Sequence, residues 1–214
     1  MPTCTVRAAS ARTSADEDSP PTTGSKARTP RLAGFLSAAE GALVMPDFTK
    51  APTALSRLPG HCGPMSVWLI LRYFRKRVGA ARIIRACRHT ERHGCYSIGL
   101  ALALDEFGLR VAFHTDTDLE IEPLEARCYQ RARRRGIPIG PPLCLSELQQ
   151  AVRGHLAIVY LAGRGGEGHF SPLVEFRRGQ AVLPYTDRGR LPVKTFERCW
   201  SGPGFPRQCV LIKA

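Results

Sequence analysis

Cys62 lies in Pro59-Gly60-His61-Cys62-Gly63-Pro64, a Gly/Pro turn that runs straight into the apolar stretch from Met65 to Phe74. A thiol at the start of a helix faces unpaired N–H groups and the positive end of the dipole, and both favour thiolate. The chemistry on offer is nucleophilic attack. Pro64 is compatible with a first helical turn, which needs no N–H from it, and Gly60 and Gly63 keep bulk away from the sulfur. A lone cysteine is more often a buried, inert thiol. The nucleophile reading therefore requires a base elsewhere in the chain.

His169 is that base. Residues 168–176 read as extended, Arg177-Arg178-Gly179 as a turn, and 180–187 as a second extended segment. A three-residue loop ending in Gly would pair Phe176 with Gln180, and counting outward from that pair sets His169 opposite Asp187. Opposite residues of an antiparallel pair share a face with Cβ atoms about 5 Å apart, within reach for imidazole and carboxylate. His169 would take the Cys62 proton and later protonate the leaving group, with Asp187 orienting the ring. No metal or other cofactor is needed for this chemistry.

The order of these motifs resembles a known family. His61-Cys62-Gly63-Pro64 before an apolar helix, the segment Gly94 to Leu109, Gly168-His169-Phe170 and a closing Asp187 are similar to the bacteriocin-processing cysteine peptidases, which cut double-glycine leader peptides. The resemblance spans roughly residues 55 to 214. It implies an α+β, papain-like fold, a peptide or protein substrate, and Cys62, His169 and Asp187 as the catalytic triad. Gly-His-Phe-Ser-Pro also resembles phytochelatin synthase, which moves a γ-glutamylcysteine unit through a thioester. Both relatives imply acyl transfer at Cys62. Papain-like enzymes usually carry an oxyanion-binding Gln where this chain has Ser56, so the second donor must come from Ser56, Arg57, His61 or another group. Two alternatives stand beside a peptidase: a γ-glutamylcysteine transpeptidase, and a catalytically silent papain-like binding module.

These residues need elements to hold them. Residues 1–32 are rich in Ser, Thr, Ala and Pro and read as a disordered tail, leaving 33–214 as one papain-like domain. Within it, 33–58 leads in to a nucleophile helix from 63 to about 77. Further helices are expected near 80–88, 97–107, 122–135, 146–153 (capped by Ser146) and 195–200. Strands are expected at 109–114, 156–161, in the His169 hairpin and at 208–212. The sum is a helix layer, led by the nucleophile helix, on an antiparallel sheet.

Composition bounds the setting. The chain has 214 residues, is 43% hydrophobic and carries a net charge of +13, nearly all of it after residue 50. Clusters at Arg72, Arg75, Lys76, Arg77 and at Arg131, Arg133, Arg134, Arg135 offer an anionic partner a surface. Without a nucleic-acid fold signature, a solvated helix face is the preferred reading. No apolar run is long enough to span a membrane, and the N-terminus has no apolar signal core. A bacterial cytoplasmic protein with eight reduced cysteines is expected, with export as an effector the alternative. Cys87, His89, His93 and Cys95 are zinc-type ligands, yet their tight spacing matches no common zinc site.

Overall fold

The structure, a computed structural model, describes residues 47–116, 121–163, 167–202 and 204–213. All of them belong to the compact unit Gly41–Ala214. The tail expected at 1–32, and 33–46 of the lead-in, lie outside the described residues.

A 3-10 turn at Phe48–Lys50 and a one-turn helix, α1 (Thr53–Ser56), lead in, with Leu55 buried. Helix α2 (Cys62–Tyr73) follows, and every residue from Gly63 to Leu71 is buried. A helix apolar on all sides belongs inside a domain. It stops short of 77 because Arg75 adopts φ 56° and the Lys76 N–H turns back to the Leu71 carbonyl at 2.8 Å, closing the last turn. Helices α3 (Ala80–Ala86) and α4 (Ser97–Glu106) come next, the latter buried from Ser97 to Leu104.

Strand β1 (Arg110–Thr115) and helix α5 (Pro123–Arg134) follow. Arg131 pairs with Glu106 at 3.1 Å and Arg135 with Asp105, so part of the second basic cluster fastens α5 to α4. After β2 (Ile139–Gly140), helix α6 (Leu145–Ala151) begins at Cys144 rather than at the expected Ser146. The Glu147 carboxylate accepts the Cys144 N–H at 2.6 Å, and that bond fixes the start. The chain closes with β3 (Leu156–Ala162), β4 (Gly168–Leu173), β5 (Glu175–Arg177), β6 (Gln180–Val182), β7 (Arg190–Pro192), α7 (Val193–Trp200) and β8 (Gln208–Lys213).

The main sheet runs β2-β1-β8-β3-β4, antiparallel throughout except for a parallel β1–β2 pair that the sequence did not suggest. A smaller sheet, β5-β6-β7, stands apart. Alternation along the strands divides the core. Leu156, Ile158, Phe170, Val210 and Ile212 pack with α2 to α5. Ala157, Val159, Leu161 and Leu211 pack with Leu148 of α6 and with Phe196 and Trp200 of α7. The α+β class, with the nucleophile helix against an antiparallel sheet, is thus present.

The expected hairpin is not. Strand β4 pairs with β3, while β5 pairs with β6 around the two-residue turn Arg178-Gly179, whose φ values are 50° and 73°. A two-residue turn with both central φ positive is the preferred hairpin connection. It pairs Phe176 with Ala181, one residue from the expected register, and β6 ends at Val182 before Pro184. Asp187 therefore sits exposed in a turn rather than on a strand opposite His169.

Candidate active site

Cys62 is the first residue of α2 and is half-buried. Its sulfur meets the backbone N–H groups of Phe170, Gly63 and Cys62 itself, all of which favour thiolate. Burial acts in the opposite direction and outweighs them, so the thiol's pKa is raised. The buried setting thus reverses the thiolate expected from the helix start alone. Phe170 lies on β4, the edge strand of the main sheet, and one turn along α2 the Ser66 hydroxyl donates to the Phe170 carbonyl at 3.2 Å. Cys62 and Ser66 are four residues apart on one helix face, so α2 seats against the N–H and C=O of a single strand residue.

Gly60 adopts φ 62°, which explains its glycine. Gly63 has a different reason from the open approach expected. A Cβ there would stand 3.0 Å from the Cys95 Cβ and 3.1 Å from its sulfur, so Gly63 lets α2 pack closely on the segment before α4.

His169 follows Gly168 on β4, opposite Leu161 and on the α7 face, whereas its neighbour Phe170 faces the helices. Its Nε2 lies 2.9 Å from the Tyr185 carbonyl, and the two rings stack at 5.5 Å. The ring's orienting hydrogen bond thus goes to Tyr185 and not to Asp187. Tyr185 also meets the His61 ring edge-on at 6.3 Å. Burial, followed by the charge of Cys62, pushes the Tyr185 phenol up to about 12. Among the described residues no hydrogen bond joins Cys62 directly to His169. Tyr185 connects them, through His61 on one side and His169 on the other. A cleft of about 790 Å³ opens on the α7 side of β4, with His169, Tyr185, Asp187, Glu167, Arg188 and Cys199 among its walls.

Two of the oxyanion candidates, Ser56 and His61, have local partners. Ser56 is exposed and its hydroxyl donates to the Thr53 carbonyl at 3.3 Å. His61 Nδ1 is 2.9 Å from the Leu58 carbonyl, which leaves a lone pair on Nε2 of the neutral ring. Cys87 and Cys95 are buried together, and the hydrogen bond between their thiols and their burial raise the Cys95 pKa. His89 instead bonds the Pro59 carbonyl at 2.6 Å and His93 stacks on Tyr96, so the four zinc-type residues do not converge. Among the described residues no cluster of three or more metal-ligating side chains is present. His114 and His155 bond the carbonyls of Pro141 and Ala151, as structural histidines do.

Ser66, Phe170 and Tyr185 are the site residues that the sequence reading missed. Only Ser66 had a local signal, its four-residue spacing from Cys62.

No protein-family model and no curated protein matches the chain. It is similar to a solved double glycine motif protease from an AMS/PCAT transporter in complex with its leader peptide, at 16% identity and a TM-score of 0.47, over 82% of this chain and 96% of that one. It is also similar to the peptidase domain of Streptococcus ComA, a bi-functional ABC transporter involved in a quorum-sensing pathway. There the identity is 13% and the TM-score 0.43, over 72% of this chain and 91% of that one. The first is described as a double glycine motif protease and the second as a peptidase domain. Among the described residues, no helix of this chain is long and apolar enough to cross a membrane.

Proposed function

We propose that the protein is a cysteine peptidase or acyl transferase that cleaves a peptide or isopeptide bond through a thioester at Cys62. The observation that carries this reading is the seat of the Cys62 sulfur on the N–H of Phe170, the residue next to His169 on β4. Cys62 on α2 and His169 on β4 lie on elements that pack directly together, which supports a nucleophile–base pairing. His169 removes the thiol proton and returns it to the leaving group. Asp187, exposed in the same cleft, stabilises the imidazolium by its charge. The N–H of Cys62 faces the developing oxyanion; the second donor is His61 in its protonated form, or Ser56 after its hydroxyl leaves Thr53. The exposed Arg72, Arg75 and Arg77 favour substrates or partners with acidic side chains.

A second reading, a papain-like binding module, draws support from the raised thiol pKa. One experiment separates the two. Incubating the chain with a peptide library and with a peptide aldehyde should give cleavage products and a covalent adduct at Cys62, located by mass spectrometry. Cys62→Ala should abolish both while keeping the circular dichroism spectrum. Binding without turnover, equal in wild type and Cys62→Ala, would establish the binding module instead.

A further inference from the structure

We propose that Tyr185 is the positioning residue of the His169 imidazole, acting through its main-chain carbonyl and its ring together; the inference rests on the peptidase reading above. A carbonyl oxygen only accepts, so the 2.9 Å contact requires the proton of the neutral ring on Nε2 and leaves the lone pair on Nδ1. The tautomer is thereby set without a side-chain carboxylate.

The ring of Tyr185 sets the rotamer. It lies against the imidazole at 5.5 Å with an interplanar angle of 26°, and it also meets the edge of His61 at 6.3 Å and 69°. Turning the His169 ring over would lose the hydrogen bond, and swinging it out of its plane would lose the stack. Because His61 directly precedes Cys62, the same aromatic side chain that fixes the base also touches the start of the nucleophile helix. Its phenol stays protonated through the neutral range, so the contact carries no charge change there. Asp187, two residues further on and exposed, contributes charge to this arrangement and not geometry.

The tautomer can be read without any substrate. Nitrogen-15 spectra of the histidine-labelled full chain, with His169 assigned by comparison with His169→Asn, should show the Nε2–H tautomer of the neutral ring. Tyr185→Phe and Asp187→Asn should keep that tautomer, and Tyr185→Ala, which keeps the carbonyl but frees the imidazole to swing away from it, should give a mixture. In parallel, Tyr185→Ala should lower kcat about 10²-fold with KM little changed, and Tyr185→Phe should restore it. If Tyr185→Ala does not fold, Tyr185→Leu removes the stacking face while keeping apolar bulk. An Nδ1–H tautomer in the wild type, an unchanged tautomer in the ring-deleted variant, or a switch caused by Asp187→Asn would overturn the proposal. An inactive wild type with the expected tautomer counts against the peptidase reading alone.

Discussion

Burial raises the proton affinity of the Cys62 thiol, and the N–H groups of Phe170, Gly63 and Cys62 offset only part of the rise. At rest Cys62 is therefore a neutral thiol, and in the proposed reaction its proton would move to His169 as attack occurs. This differs from a site that stores a thiolate–imidazolium pair, and pH separates the two. Alkylation of Cys62 by iodoacetamide should be slow near neutrality and climb as the pH passes the ordinary thiol value of 9.0. A rate already at its plateau near about pH 6, below the reference His value, would show a preformed ion pair and overturn the assignment. Cys62 itself was legible in the sequence because Gly, Pro and an apolar run mark a helix start. Its raised pKa was not, because desolvation depends on what the fold lays over the sulfur.

At the scale of elements, β4 carries three consecutive residues with three duties. Gly168 makes room, His169 faces the cleft, and Phe170 receives α2. A Cβ on Gly168 would fall 1.8 Å from the Tyr160 hydroxyl and 2.2 Å from its Cζ, so the Tyr160 ring fills the space that glycine leaves. Gly168→Ala should drive that ring out, lower stability by roughly 1–3 kcal/mol and reduce turnover by disturbing His169 next door. Adding Tyr160→Ala should recover part of the stability, and denaturant unfolding of the two singles and the double would measure the coupling. Additive effects, or a Gly168→Ala variant as stable as wild type, would refute the contact. Most helices were legible from apolar periodicity and from breaks at Gly and Pro. The hairpin register was not, because it turns on whether Arg178 takes a left-handed conformation, which residue type does not decide. Because β4 pairs with β3 and β6 ends at Val182, Asp187 is off the strand, and the hydrogen bond of the His169 ring goes to a backbone carbonyl, a group that every residue carries and no motif can flag.

For the molecule as a whole, several buried acids are held protonated by the fold. Burial pushes Cys209 and Tyr185 each up to about 12, from 9.0 and 10.0, and raises Cys62 as well. A raised folded value means the native state holds its proton while the unfolded chain has lost it. Stability from these groups is fully present below the unfolded values and is lost as pH rises through the folded ones. Thermal midpoints should thus fall steadily from about pH 9 toward pH 12, and Cys209→Ala should flatten the slope. A midpoint independent of pH across that range would contradict the burial of Cys209. The seating of α2 on Phe170 has a further consequence. Strand β4 ends the main sheet, and an open strand edge is a template for pairing with other chains. By occupying the N–H and C=O of Phe170, the nucleophile helix acts as the guard of that edge. A ligand or mutation that levers α2 away from β4 would part Cys62 from the strand of His169 and, in the same motion, make the protein prone to self-association.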